Sequence, residues 1–404
     1  MKKNILIISI YYPPIESIAS NRIYSFAKYL DKSEYNIFVH TIDTNKPFKN
    51  TLEGVEISRT KNSSFFKLFL FEKRTNKLLH YLKVAHNIIV RKLIKNLYQG
   101  WIDSSFELLK KKIKEENIDL IISSYAPDAS HILALKLKQE FSNIKWIADF
   151  RDEMSNSIYL DSKTRAKYYK LEQDIFNNVD AITSVSKPIL QHFKSSCNKE
   201  GVKFCEVRNG YDFELEYSIS NNNIFTISFI GNFYADITPY NFFKALELFI
   251  NDNRDVKIEV KLVGVKTHFE LPNNLKDIVK ILPTLKHTKA IEVMKQSDAL
   301  LLIYPTNKRV GVYTGKLFEY LGSLKPILAL VNEDDVAAKL IKKCNAGYVA
   351  DNSNIGKIKQ NIELLYSEWK SKNRRDFNLD IIKKHHRIEQ VKRLELAIQK
   401  VLNG

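Results

Sequence analysis

Short runs of apolar, β-branched residues alternate along the chain with segments whose apolar positions recur every three or four residues. In the first half the runs are 5–9, 37–41, 55–58, 120–123, 146–150, 181–185 and 204–207. Helical spacing falls between them, at 20–30, 128–141 and 165–177 among others. Strands that are apolar throughout, rather than at every second position, are buried on both faces, which predicts a parallel sheet covered by helices. The pattern then restarts after the polar stretch 218–223, with runs at 225–231, 258–263, 279–282, 299–303, 326–330 and 347–350. Two doubly wound α/β domains are expected, with a boundary near 209–224.

One segment breaks the alternation. Residues 61–115 carry thirteen Lys/Arg against four Asp/Glu, interleaved with Phe65, Phe66, Phe69, Phe71, Tyr81, Tyr98 and Trp101. Leu78, Leu82, Ala85, Ile89, Leu93 and Leu97 recur at helical spacing, and Lys77, Lys83, Arg91 and Lys95 lie mainly on the other side. This is a basic amphipathic helix. Two readings stand: a surface helix packed on its own domain, or an interfacial helix on an anionic leaflet with aromatics at headgroup depth.

Composition narrows the class. With 404 residues, 44% apolar and 27% charged, the chain has the make-up of a globular protein of two or three domains. The net charge of +17 favours phosphates of any kind. No RNA- or DNA-binding signature accompanies it, and no nucleic-acid partner is expected. Cys197, Cys205 and Cys344 form neither a C-x-x-C pair nor a zinc spacing. No metal or cofactor is expected. The apolar start before Tyr11-Tyr12-Pro13-Pro14 is too short for a secretory leader and reads as a first strand. No run reaches a membrane-spanning length, so a cytoplasmic protein is expected, peripheral on the inner face of the plasma membrane.

In such folds ligands sit at the carboxyl ends of the strands, and two stacked α/β domains create a cleft there. The loop after the first run leads to Ser20-Asn21-Arg22, with Ser20 as a helix N-cap and Arg22 near the free amides. Arg22 serves there either an anion or a structural ion pair. The loop after 146–150 reads Asp149-Phe150-Arg151-Asp152-Glu153. A carboxylate at a strand end orients or deprotonates a hydroxyl, and an arginine fork holds a carboxylate or phosphate. The alternative is an Arg–Asp network that only supports the strand end. In the second half Gly231 and Gly264 end strands, where glycine lets a ligand approach the backbone.

The most informative segment runs from Gly311 through Thr314-Gly315-Lys316-Leu317-Phe318-Glu319 to Leu324-Lys325-Pro326. It reads as loop, short helix, turn and strand. Amides at a helix start near Thr314–Gly315, with Lys316 in the first turn, suit a diphosphate. Glu319 lies on nearly the same face and suits the two hydroxyls of a ribose.

This segment resembles the donor-binding motif of the family 4 (group 1) retaining glycosyltransferases. The resemblance extends to Tyr12-Pro13-Pro14, to Pro127, Ser130 and His131 ahead of 146–152 (similar to the "DFRDPW" subgroup), to 183–186, Asn209-Gly210-Tyr211-Asp212, 229–234 with Pro239, and 287–303. It covers roughly 4–59 and 118–350. It departs from the pattern where many members carry a first glutamate, here Gly311, and an Arg then a Lys after the second domain's first strand, here Asn232.

The resemblance implies a GT-B fold: two Rossmann-like domains facing a central cleft. These would be an acceptor-side domain over 1–210 with the basic insertion at 61–115, a nucleotide-sugar domain over 211–383, and a C-terminal helix over 384–404 crossing back to the first. It implies metal-independent, retaining transfer, hexosyltransferase-like, from a nucleotide-diphosphate sugar. The acceptor would be an oligosaccharide or lipid-linked glycan of surface polysaccharide synthesis, at an anionic membrane met through about 65–101. The donor site would comprise Gly231, Asn232, Gly264, Arg309, Thr314, Gly315, Lys316, Leu317 and Glu319, with Arg208 as a further cation. Arg22, Asp149, Arg151 and Asp152 would line the acceptor side, with Asp149 contacting the acceptor hydroxyl; Asp149, Lys316 and Glu319 would be catalytic. The run Glu333-Asp334-Asp335 is expected to cap the next helix. Competing readings are a sugar-nucleotide 2-epimerase of the same fold, a catalytically silent subunit, and a basic nucleic-acid-binding protein.

Overall fold

The computed structural model describes residues 2–46, 48, 52–62, 96–217, 223–233, 237–304 and 311–404. The expected basic helix, with Lys77, Lys83, Arg91 and Lys95, lies outside the described residues, as does Arg309.

The chain forms two compact units, one of residues 1–207 and 391–404, the other of 208–390. The first contains β1 (Lys3–Ile8), α1 (Ile18–Tyr29), β2 (Tyr35–Ile42), β3 (Val55–Thr60), α2 (Gln99–Glu115), β4 (Leu120–Tyr125), α3 (Ala129–Glu140), β5 (Lys145–Phe150), α4 (Ser162–Phe176), β6 (Ala181–Ser184), α5 (Lys187–Ser196) and β7 (Lys203–Glu206). Its parallel sheet has the order β3-β2-β1-β4-β5-β6-β7. The strands are apolar throughout because both faces are covered. Ile5 and Ile7 pack into one core cluster with Ile23 and Phe26, while Leu6 and Ile8 pack into another with Trp101 and Leu133.

The second unit repeats the scheme with β8 (Phe225–Ile230), α6 (Tyr240–Asp252), β9 (Ile258–Val263), β10 (Val279–Leu282), α7 (His287–Gln296), β11 (Ala299–Ile303), α8 (Gly315–Gly322), β12 (Ile327–Leu330), α9 (Val336–Lys343), β13 (Gly347–Ala350), α10 (Ile355–Lys370) and α11 (Leu379–Lys383). Its order, β10-β9-β8-β11-β12-β13, is again parallel. Here too neighbours split between faces: Leu301 and Ile303 join one cluster, Leu300 and Leu302 the other. Each such side chain contributes about 1.5–3 kcal/mol on burial. The last helix, α12 (Arg387–Leu402), places Val391, Leu394, Ile398 and Val401 in the first unit's core beside Ile5 and Leu30.

One helix start differs from the sequence expectation. The N-cap of α1 is Ser17, extended at φ −160°, whose side chain accepts the Ser20 N–H at 3.0 Å. Ser20 is inside the first turn and buried. Two serines three residues apart offer the same cap chemistry, and the apolar Ile18–Ala19 step settles the frame by joining the helix.

No described helix is long and apolar enough to cross a membrane. The three cysteines are unpaired, and burial pushes the Cys344 thiol up to about 12.

Candidate functional site

In the second unit the strand order reverses between β8 and β11, so the crevice beyond their carboxyl ends is where such a sheet binds ligands. Gly231 follows β8 at φ +127°, and a Cβ there would stand 2.6 Å from Lys316 Nζ. The missing side chain is what lets Lys316 lie across the end of β8, its ammonium 4.3 Å from the centre of the Phe229 ring. Burial pulls the Lys316 pKa down to about 8, partly offset by the charge of Glu319. A cation held at the edge of its protonated range gains strongly from an arriving anion.

Lys316 is in the first turn of α8, with Thr314 as the N-cap residue. Gly315 is buried beneath it. The Thr314 N–H donates to the Tyr304 hydroxyl at 2.8 Å, and that hydroxyl stands 3.2 Å from Thr314 Oγ1. The Tyr320 hydroxyl accepts the Ile230 N–H at 3.1 Å, tying α8 to the end of β8. Glu319, one turn after Lys316, meets His287 Nε2 at 2.8 Å; this hydrogen bond raises the His287 pKa against the effect of burial. Arg208 lies 4.8 Å from the Tyr313 ring, beside the same turn.

Other expectations change. Asn232 Oδ1 accepts from the Lys266 N–H (2.7 Å), the Thr267 N–H (3.0 Å) and the Thr267 hydroxyl (3.1 Å), so it shapes the loop after Gly264 rather than offering that oxygen to a donor. Gly264 follows β9 at φ +80°, where a Cβ would stand 3.7 Å from Thr284 Cα. Leu317 is fully buried and its N–H turns back to Thr314 O at 3.2 Å, which makes it a support of the helix start. Asp335 is the N-cap residue of α9, yet its side chain makes no cap bond; Oδ1 accepts the Gly311 N–H at 2.7 Å instead. Sequence reasoning passed over His287, Tyr304 and Tyr320 in these roles, because nothing in a local pattern distinguishes a tyrosine that packs from one whose hydroxyl ties two elements.

In the first unit Arg22 and Asp149 form a buried pair, their side chains 2% and 0% exposed. Arg22 Nε and Nη2 donate to Oδ2 (3.0 Å) and Oδ1 (2.6 Å), and Nη2 also reaches Val207 O at 2.8 Å. The hydroxyls of Ser124 (2.9 Å) and Thr183 (2.7 Å) complete the set. Burial alone would raise the Asp149 pKa; the Arg22 charge and these hydrogen bonds outweigh it and hold the carboxyl below its ordinary value. Four donors occupy all four lone-pair positions of the carboxylate. Asp149, expected to contact an acceptor hydroxyl, is engaged here as an anchor for Arg22 and the β5 end. Arg151 donates to Ala126 O and lies 5.9 Å from the Tyr11 ring, while half-buried Asp152 and buried Asp149 act against the burial that lowers its pKa.

Two outcomes follow. Arg22→Met strands a buried carboxylate and should cost about 3–5 kcal/mol in chemical denaturation; a loss below about 1 kcal/mol would contradict the pairing. His287 should titrate above 6.5 by NMR, and Glu319→Gln should lower its midpoint. Because the folded pKa is raised, the pair's stabilisation is complete below 6.5 and fades as pH climbs through the folded value.

No protein-family model matches the chain, and no curated protein sequence does. Solved structures match along the whole chain. A sucrose-phosphate synthase from Thermosynechococcus elongatus is similar at TM-score 0.67 and 11% identity, with 100% of both chains covered. An Escherichia coli structure described as trehalose-6-phosphate, bound with UDP-2-fluoro glucose, gives TM-score 0.62 at 10% identity over 98% of this chain and 99% of that one. The lipopolysaccharide outer core galactosyltransferase WaaB gives 0.58 at 13%, over 98% and 99%. Two parallel-sheet Rossmann-like units in this order, superposing on these proteins end to end, give the chain the GT-B fold of the glycosyltransferases.

Proposed function

We propose that the protein transfers a hexose from a nucleotide-diphosphate sugar to a membrane-linked glycan, with retention, as a family 4-type enzyme of surface polysaccharide synthesis. The observation that carries this reading is the convergence of Gly231, Lys316, Glu319 and His287 at the switch point of the second sheet. Lys316 and the start of α8 meet the diphosphate, the part a metal plays elsewhere, with Arg208 and Arg309 as further cations. Glu319, oriented by His287, takes the ribose hydroxyls. Gly231 and Gly264 admit the donor to the backbone. The bond from anomeric carbon to diphosphate oxygen breaks as the acceptor oxygen bonds to that carbon from the same face. The acceptor's proton passes to the departing phosphate oxygen, so no protein base is required. On the acceptor side the buried Arg22–Asp149 pair fixes the loop that carries Arg151 and Asp152.

A panel of UDP-, GDP-, ADP- and CMP-sugars tests the donor. A ligand at 100 times its dissociation constant stabilises by about 2.7 kcal/mol, readable as a thermal shift. Glu319→Ala should weaken nucleotide binding at least about tenfold and Lys316→Ala should lower kcat by about 10²–10³. Unchanged nucleotide affinity in Glu319→Ala would refute its role.

The membrane reading has support in the first unit, where Ile158, Tyr159 and Tyr169 are 44–56% exposed and α4 also carries Lys163, Lys167 and Lys170. Aromatic and basic residues together suit an anionic interface. Binding to vesicles rich in phosphatidylglycerol should fall with salt and with charge removal at Lys77, Lys83, Arg91 and Lys95. Retained binding in that variant would count against the basic segment as the anchor.

A further inference from the structure

We propose that Asp335 is the positioning residue of the nucleotide turn: its buried carboxylate holds Gly311 so that the backbone from 311 to 316 arrives at the α8 start in one geometry. The inference rests on the nucleotide reading of that start and adds to it a residue far along the chain.

The turn is gripped at both ends by groups from different elements. At its beginning the Gly311 N–H donates to Asp335 Oδ1 at 2.7 Å, with Asp335 only 5% exposed. At its end the Thr314 N–H donates to the Tyr304 hydroxyl. Each grip is itself fixed. The Tyr304 N–H continues the β11 ladder to Leu330 O at 3.0 Å. Asp335 accepts the Lys339 N–H on its own carbonyl at 3.1 Å, as a helix N-cap does, and donates its N–H to Asn332 O at 3.2 Å. Gly311 has φ +82°, a left-handed conformation that glycine adopts readily and L side chains disfavour.

A capping residue normally spends its side chain on its own helix. Asp335 spends it on a loop residue 24 positions earlier, and α9 forgoes the cap bond. A buried N–H left without an acceptor is costly, so removing this carboxylate releases the turn rather than merely loosening it. Because only three residues separate Gly311 from Gly315, a released turn moves the amides and the Lys316 side chain together.

The test uses the full chain with Asp335→Ala, Asp335→Asn and Tyr304→Phe, reading amide hydrogen exchange over 311–316 and calorimetric affinity for UDP and GDP. Asp335→Ala should speed exchange roughly tenfold or more and weaken the bound nucleotide about tenfold. Asp335→Asn, which keeps an acceptor oxygen, should restore both, a rescue that a charge effect would not show. Tyr304→Phe should speed exchange at Thr314 and covers the case in which Asp335→Ala does not fold. Unchanged exchange in Asp335→Ala overturns the proposal. So does an Asp335→Asn as impaired as Asp335→Ala, or nucleotide affinity that falls in Lys316→Ala but not in Asp335→Ala. If neither nucleotide binds the wild-type chain, the nucleotide reading fails, and the exchange data still decide whether Asp335 holds the turn.

Discussion

A parallel sheet covered on both faces has no free surface for chemistry except at its strand ends. Both units of this chain obey that constraint: residues such as Leu6 and Ile7, or Leu301 and Leu302, are adjacent in sequence and buried in opposite layers. In the second unit the strand ends next to the order reversal lead to the candidate site residues: Gly231 follows β8 and the Lys316 helix start follows β11. In the first unit Ser124 and Asp149 lie within β4 and β5, close to their carboxyl ends.

Burial then decides what each charge can do. The Arg22–Asp149 pair is removed from water, and every lone pair of the carboxylate is used. Such a pair holds geometry, and breaking it is costly because one charge is left behind. The His287–Glu319 pair has the same kind of bond length, but its histidine side chain is 47% exposed. Solvent screens it, its contribution to stability is small, and its groups keep the freedom to exchange partners with a ligand. The two pairs thus differ in burial, and with it in how firmly each holds its surroundings.

The strand pattern was legible because buried parallel strands leave unbroken apolar runs: 258–263, 279–282, 299–303 and 347–350 coincide with β9, β10, β11 and β13. The helix start at Thr314–Gly315 was legible because helix-start signals are local. Asp149 was read as a site residue because its one-dimensional neighbourhood is highly charged; that its real neighbours are Arg22, Ser124 and Thr183, up to 127 positions away, is tertiary information. Asp335 was read as a cap for the same reason. A cap is the local option, and the Gly311 N–H that outbids it comes from a distant loop.

That bond changes how the departure at Gly311 is understood. Against the donor motif that the segment resembles, where a glutamate is common at this position, glycine looks like the loss of an acid. The backbone at 311 is left-handed, and a residue with a Cβ would be strained there by roughly 1–2 kcal/mol. Glycine is therefore what this turn requires, with Asp335 receiving its N–H. The electrostatic result is coherent as well. The buried Asp335 carboxylate is engaged with a backbone amide, and the acid beside Lys316 along α8 is Glu319, itself shared with His287. The charge that supports the Lys316 ammonium against its burial is that of Glu319.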